Sequence, residues 1–130
     1  MSTLSDGTIT VTFTDDLQWV DEFAWAPVEQ NVERTITGAL VVQNAARAAG
    51  RPITLAPDSE SAAWMTRASL DTLRTWAATA GQVLTLGHRG VNRSVIWRHE
   101  DTAIDATPVV PFADVQAGDF YRATLRFMEI

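Results

Sequence analysis

Residues 64–97 have the sequence WMTRASLDTLRTWAATAGQVLTLGHRGVNRSVIW, in which the spacing of apolar residues changes once, from the period of a helix to that of a strand. Between residues 67 and 80 the apolar side chains recur every three or four residues and share one stripe of an amphipathic helix. Thr66 precedes this segment as the expected N-cap, and Gly81 follows it as the expected left-handed C-cap. The pattern predicts one helix over about 67–80.

The second half of this stretch predicts a β-hairpin. Residues 82–87 and 92–99 are strand-like, and the four residues between them form a polar turn that contains glycine. A helix of about 14 residues is about 20 Å long, which is enough to cross one face of a small sheet. We therefore expect the helix to pack on a sheet to which this hairpin belongs.

The rest of the chain has the alternation of strands. Gly38 lies within one of these patterns and suggests a bulge or a close backbone approach, while 100–108 is loop-like. We predict an α+β fold that is mostly β, with about seven strands and the helix on one flank. The strand patterns occur at 8–14, 33–44, 52–56, 120–130 and, as a weak edge strand, 109–112.

Length and composition exclude several classes of protein. A chain of 130 residues has the length of one domain, 1–130. Its net charge of −6 argues against a surface that follows nucleic-acid phosphates, because such domains are usually basic. No apolar run approaches the roughly 20 residues of a membrane span, the N-terminus does not resemble a signal peptide, and cysteine is absent. We expect synthesis in a cytoplasm, without membrane or nucleic-acid contacts.

Residues 15–33 form an acidic and aromatic segment without a basic residue. Pro27 argues against a long helix, and a loop of this length inside a domain is usually functional. Two interpretations are open. The aromatic residues fold back onto their own core, or the segment is an arm whose Trp19, Phe23 and Trp25 are buried against another subunit, as aromatic anchors are at interfaces. With Trp64, these three residues are the predicted interface.

The sequence contains no fingerprint of a catalytic or cofactor site. His99, Glu100 and Asp101 resemble a proton-transfer or metal cluster, but neighbouring residues of a strand point to opposite faces. We predict that the protein is not an enzyme and has no catalytic, metal or cofactor site. Two alternatives remain: a small hydrolase that uses His99 and Glu100, and a carbohydrate-binding module whose exposed tryptophans stack on host-surface glycans.

The chain, from about residue 17 to 130, resembles short minor-tail or tail-tip proteins, of the distal-tail kind, from long-tailed bacteriophages. The resemblance is carried by the order of short segments rather than by a catalytic signature. These segments are WVDEF (19–23) with Trp25, RTITGAL (34–40), GRPITL (50–55), WMTR (64–67), VIWRHE (95–100) and YRATLRFME (121–129).

The resemblance implies a structural component of a phage tail tip or baseplate. It implies a β-sandwich or split barrel like that of tail-tube and distal-tail proteins, assembled into a hexameric or trimeric ring through loops and terminal strands. The expected partners are copies of the chain itself and neighbouring tail-tube or tail-tip proteins, and the expected location is the virion tail. A ring needs two complementary patches on each subunit. The acidic arm and a basic patch could supply them, the latter built from Arg67, Arg74, Arg93, Arg122 or Arg126.

Overall fold

The computed structural model describes residues 2–14, 16–59 and 62–130. Within them the chain is mostly β, with antiparallel sheets and one α-helix, which confirms the predicted α+β class. The elements in chain order are β1 (Ser2–Ser5), β2 (Thr10–Phe13), β3 (Leu17–Trp19), β4 (Val28–Arg34), β5 (Leu40–Ala46), β6 (Pro52–Pro57), β7 (Trp64–Thr66), α1 (Arg67–Ala77), β8 (Leu84–His88), β9 (Val91–Trp97), a 3₁₀ turn (His99–Asp101), β10 (Ile104–Pro108) and β11 (Phe120–Glu129).

The long strand β11 is the centre of the larger sheet. This sheet has the order β2-β1-β8-β9-β11-β6-β3, and β7 and β10 also pair with β11. One side of β11 pairs with β10 and then β9, and the other side pairs with β7 and then β6. Two of the seven positions across the sheet are thus each divided into two short strands. The described residues therefore contain eleven strands where the sequence predicts about seven.

Helix α1 begins as predicted and ends early. The side chain of Thr66 accepts a hydrogen bond from the Ser69 N–H at 3.3 Å, so it is the N-cap. The helix ends at Ala77 rather than near 80, because the Thr79 N–H bonds to the Trp76 carbonyl three residues back. Gly81 has a φ of +72° but lies beyond the helix end and is not its C-cap. No helix in the described parts of the chain combines the length and apolar character that crossing a membrane requires.

Three sequence expectations about strands are wrong. The predicted strand 33–44 contains a turn, because Gly38 adopts a φ of +85° and Thr35 Oγ1 accepts the Ala39 N–H at 3.1 Å. The predicted loop 100–108 contains β10, and the predicted edge strand 109–112 is not a strand. Its first residue still donates to the Phe120 carbonyl at 3.1 Å, after which the chain leaves the sheet. The short strand β1 was not predicted.

The buried apolar side chains form one core cluster between the larger sheet and α1. Strand β11 contributes alternate residues to it, because successive side chains of a strand point to opposite faces. The helix contributes Leu70, Leu73 and Trp76. Strands β4 and β5 contribute nothing: they pair only with each other, in a separate two-stranded sheet.

Candidate functional site: an exposed hairpin arm

Residues 28–46 form a β-hairpin that we call the hairpin arm. It consists of β4, the turn 35–39 and β5. Every one of its residues is exposed to solvent, so the arm does not lie against the body of its own chain. The arm predicted at 15–33 is therefore displaced along the chain, since 17–19 belongs to the larger sheet and only the end of that segment belongs to the hairpin.

The register of the hairpin arm divides it into two different faces. Directly paired residues of antiparallel strands point to the same face. The pairs Val28↔Ala46, Val32↔Val42 and Arg34↔Leu40 share one face, with Gln30↔Asn44 between them. We call this the apolar face. The opposite face carries Glu29↔Ala45, Asn31↔Gln43 and Glu33↔Val41.

No described residue of the chain covers the apolar face. Its large side chains, Val28, Val32, Leu40 and Val42, are between 42% and 50% exposed, and Ile36 at the apex is fully exposed. An isolated two-stranded hairpin is at best marginally stable in water. Such a hairpin gains most from a surface that covers its apolar face, which makes the arm a candidate assembly site.

Arginine–tryptophan contacts fix the base of the arm to the body. The guanidinium of Arg47 lies 5.7 Å from the ring centroid of Trp25, and that of Arg51 lies 5.6 Å from it. Arg47 also forms an ion pair with Glu29 at 2.6 Å. The Gly50 N–H donates to the Glu129 carbonyl at 2.9 Å, so the arm leaves the body beside the C-terminal end of β11.

Trp19, a predicted interface residue, lies in the core of its own chain. It is 6% exposed, with the guanidinium groups of Arg51 and Arg93 at 4.4 Å and 4.9 Å from its ring centroid. The ring of His88 meets it edge-on at 6.0 Å. Trp19 therefore agrees with the first interpretation of the aromatic segment, in which the aromatic residues fold back onto their own core.

The other three predicted interface residues have different surroundings. Phe23 is 95% exposed on the turn after β3. Trp25 is half-buried under the arginines at the base of the arm. Trp64 is exposed and packs its ring against Phe120 at 5.7 Å. The structure therefore does not bring the four residues together into one surface.

The arginines of the expected basic patch also lie on several elements. Arg67 and Arg74 are on α1, where both contact Asp71. Arg93 is on β9 and lies 3.8 Å from Glu129. The remaining two are on β11, where Arg126 donates to the Thr102 carbonyl at 2.8 Å. Several of these cations thus have partners within the chain.

A second exposed apolar surface lies at the other end of β11. The loop 109–119 leaves β10 and returns into β11, and it is attached to the first turn of α1, where Arg67 and Ala68 donate N–H groups to the Asp119 and Ala117 carbonyls. These bonds satisfy two N–H groups that a helix start leaves free. We call the exposed apolar residues here the loop patch: Val110, Phe112, Val115 and Phe120, with Trp64 beside Phe120.

His88 is a buried titratable group next to the Trp19 cluster. The hydroxyl of Ser2 lies 2.6 Å from its Nδ1, and within the described residues its Nε2 has no hydrogen-bond partner. Burial lowers the pKa of His88 below its ordinary value, and the nearby positive charges of Arg89 and Arg93 lower it further. The folded protein therefore favours the neutral imidazole.

The pKa shift of His88 predicts how stability depends on pH. The free energy of unfolding is expected to be highest above about pH 6.5. It should fall as the pH is lowered from there towards the depressed pKa of the folded state, because the unfolded chain binds the proton first. The substitution His88→Gln should flatten this dependence between about pH 7.5 and 5.5. Urea unfolding across that range measures it. His99→Gln, on an exposed turn, is the matched control, and an equally steep profile in the His88 variant would contradict the assignment.

The residues on which the two alternative functions depend, hydrolysis and glycan binding, are arranged less favourably for those functions. His99, Glu100 and Asp101 form an exposed 3₁₀ turn, and Asp101 lies 3.4 Å from Arg98. No cluster of three metal-ligating side chains occurs among residues 2–14, 16–59 and 62–130. A glycan platform needs two or three exposed coplanar indoles. Three of the five tryptophans (Trp19, Trp76 and Trp97) are instead buried in the core.

Comparison with known proteins gives no family for this chain. Models of protein families, curated protein sequences and solved structures were compared with it, and none matches. Function is therefore inferred from the hairpin arm and the loop patch. Sequence reasoning missed the arm, and Gly38 was the signal for it, since a glycine in an alternating run fits a turn as well as a bulge.

Proposed function

We propose that this protein is a structural component of a bacteriophage tail tip or baseplate that assembles into a ring. The observation that carries the proposal is the uncovered apolar face of the hairpin arm, which extends from a body with its own core. In a monomer the apolar face stays in water and gains no free energy from burial, whereas in a ring it is buried in every subunit. In this proposal the hairpin arm makes the ring contacts that the sequence analysis expected of the acidic aromatic segment 15–33.

The curvature of the larger sheet supports the split-barrel form of the proposed fold. Strands β2 and β3 are its two edges, yet only residues 14–16 separate them in the chain. The four Cα–Cα steps from Phe13 to Leu17 span at most about 14 Å. The edges of a flat sheet with seven strand positions would be about 29 Å apart. The sheet therefore curls until its edges approach each other, as the proposed split barrel requires.

The arrangement of the two exposed surfaces supports a ring rather than a symmetric dimer. The arm is attached beside Glu129 at one end of β11, and the loop patch includes Phe120 at the other. Two different surfaces at opposite ends of a subunit give head-to-tail contacts, which close into rings when the rotation between subunits permits. We propose a trimer or hexamer in the virion tail, bound to neighbouring tail-tube or tail-tip proteins.

The proposal assigns no reaction to the protein. It needs no cofactor, metal, membrane or nucleic acid, and the net charge of −6 disfavours contact with phosphates inside a tail. The alternative, binding of host glycans, has only Trp64 as a clearly exposed indole, and that ring already contacts Phe120. Quenching of tryptophan fluorescence on titration with host glycans would favour that alternative.

The native mass of the purified protein tests the proposal. One chain has a mass of 14.2 kDa, and light scattering after size exclusion should give three or six times that mass, with rings visible by electron microscopy. The same measurement is repeated with the products of neighbouring genes, since a tail neighbour can nucleate the ring. A monomer under both conditions would contradict the proposed function.

A further inference from the structure

We infer that the apolar face of the hairpin arm binds the loop patch of the next copy of the chain. This inference is based on the proposed ring and identifies its second surface. The arm and the loop patch are both apolar and exposed within one subunit. The occupant of the loop patch is the arm of a second copy.

The side chains of the loop patch match the apolar face in chemical character. Phe112 is 57% exposed, and Val110, Val115 and Phe120 are also exposed. Large aromatic side chains at the centre of an apolar patch are the usual anchors of protein interfaces. The β-branched and leucine side chains of the arm offer a flat apolar surface on which such rings can pack.

A charge on each surface complements the other. The apolar face carries a single charged side chain, Arg34, whose Nη1 donates only to the Gly38 carbonyl at 3.2 Å. Asp114, which is exposed, lies in the same loop between Phe112 and Val115 of the loop patch. Among the described residues neither of these two forms an ion pair within the chain. An Arg34–Asp114 pair between copies would fix the orientation of the arm on the patch.

The geometry of the subunit requires this contact to be between copies. Strand β11 has ten residues and is therefore about 33 Å long, which separates the base of the arm from the loop patch. The arm itself extends about 23 Å along β4 and is exposed over its whole length. It therefore does not fold back onto the loop patch of its own subunit.

Mixing two defective variants tests the inference. The first carries Val32→Glu and Val42→Glu in the arm, and the second carries Phe112→Glu in the loop patch. Each alone is expected to remain monomeric. The mixture is expected to form a complex of two chains, because the second variant supplies an intact arm and the first an intact patch. Analytical ultracentrifugation measures the mass, and Val83→Glu, an exposed apolar position outside both surfaces, is the matched control.

A charge exchange tests the orientation of the contact. Arg34→Asp alone and Asp114→Arg alone are each expected to raise the concentration for half-assembly by about tenfold or more. The double variant should recover most of this loss. A structural effect of either single change on the fold would not be reversed by the other, because the two residues are far apart within one subunit.

The outcomes separate this inference from the proposed function. If the Phe112 variant assembles like the unmodified protein while the arm variant does not, the loop patch is the wrong partner and the ring proposal stands. If both variants are folded monomers and their mixture also stays monomeric, the arm–patch contact is refuted. If the arm variant itself assembles normally, the proposed role of the arm fails as well.

Discussion

Replacement of Val32 and Val42 together by glutamate is expected to abolish assembly and to leave the body of the protein folded. Burial of one valine contributes about 1.5 kcal/mol or more. Loss of two valines, about 3 kcal/mol, weakens association by about 150-fold. Two carboxylates placed in an apolar contact add a desolvation cost to this loss. Light scattering across a concentration series measures the change in association.

The control for this prediction is the variant with Asn31→Glu and Gln43→Glu. These two residues also pair directly across the hairpin, so the control introduces the same repulsion between like charges. They lie on the opposite face of the arm, and the control should therefore assemble. Below the concentration of assembly, thermal unfolding should be unchanged in both variants, since the arm contributes no side chain to the core. Equal loss of assembly in both would point to hairpin unfolding instead of a lost apolar contact.

The sequence predicts the helix and the following hairpin well because both follow a period that local physics imposes. Helix α1 buries one stripe of side chains. The side chains of strands β8 and β9 alternate between the two faces of the sheet, as they must in a hairpin next to the helix. The end of the helix is less predictable. Ala80 continues the apolar stripe in the sequence, but it is exposed in the structure and lies past the last helical turn.

The alternation of apolar residues in the sequence does not reveal the hairpin arm, and the reason is physical. Residues 33–44 alternate as one strand, and the turn within them depends on Gly38 adopting a positive φ. A glycine in an alternating run fits a bulge as well as a turn. The identity of the interface residues is also hidden, because tertiary packing decides whether an aromatic side chain such as Trp19 or Phe23 is buried.

Substitution of Trp19 by alanine is expected to destabilise the folded monomer, although the sequence places this residue at an interface. Removal of a buried aromatic side chain costs about 3–5 kcal/mol, a large part of the roughly 5–15 kcal/mol that stabilises a typical domain. The guanidinium groups of Arg51 and Arg93 would also lose the ring that they contact. Urea unfolding of the variant at a concentration below assembly measures this loss directly.

Phe23→Ala provides the contrast, because the two aromatic residues belong to the same predicted arm but differ in burial. Phe23 is 95% exposed, so its truncation should change the free energy of unfolding by less than about 0.5 kcal/mol. Any effect of Phe23→Ala should therefore be on assembly alone. Trp19→Phe, which keeps an aromatic ring beside the two arginines, should recover part of the stability lost in Trp19→Ala. If Trp19→Ala instead unfolds like the unmodified protein and fails only to assemble, Trp19 acts between subunits and is not a core residue.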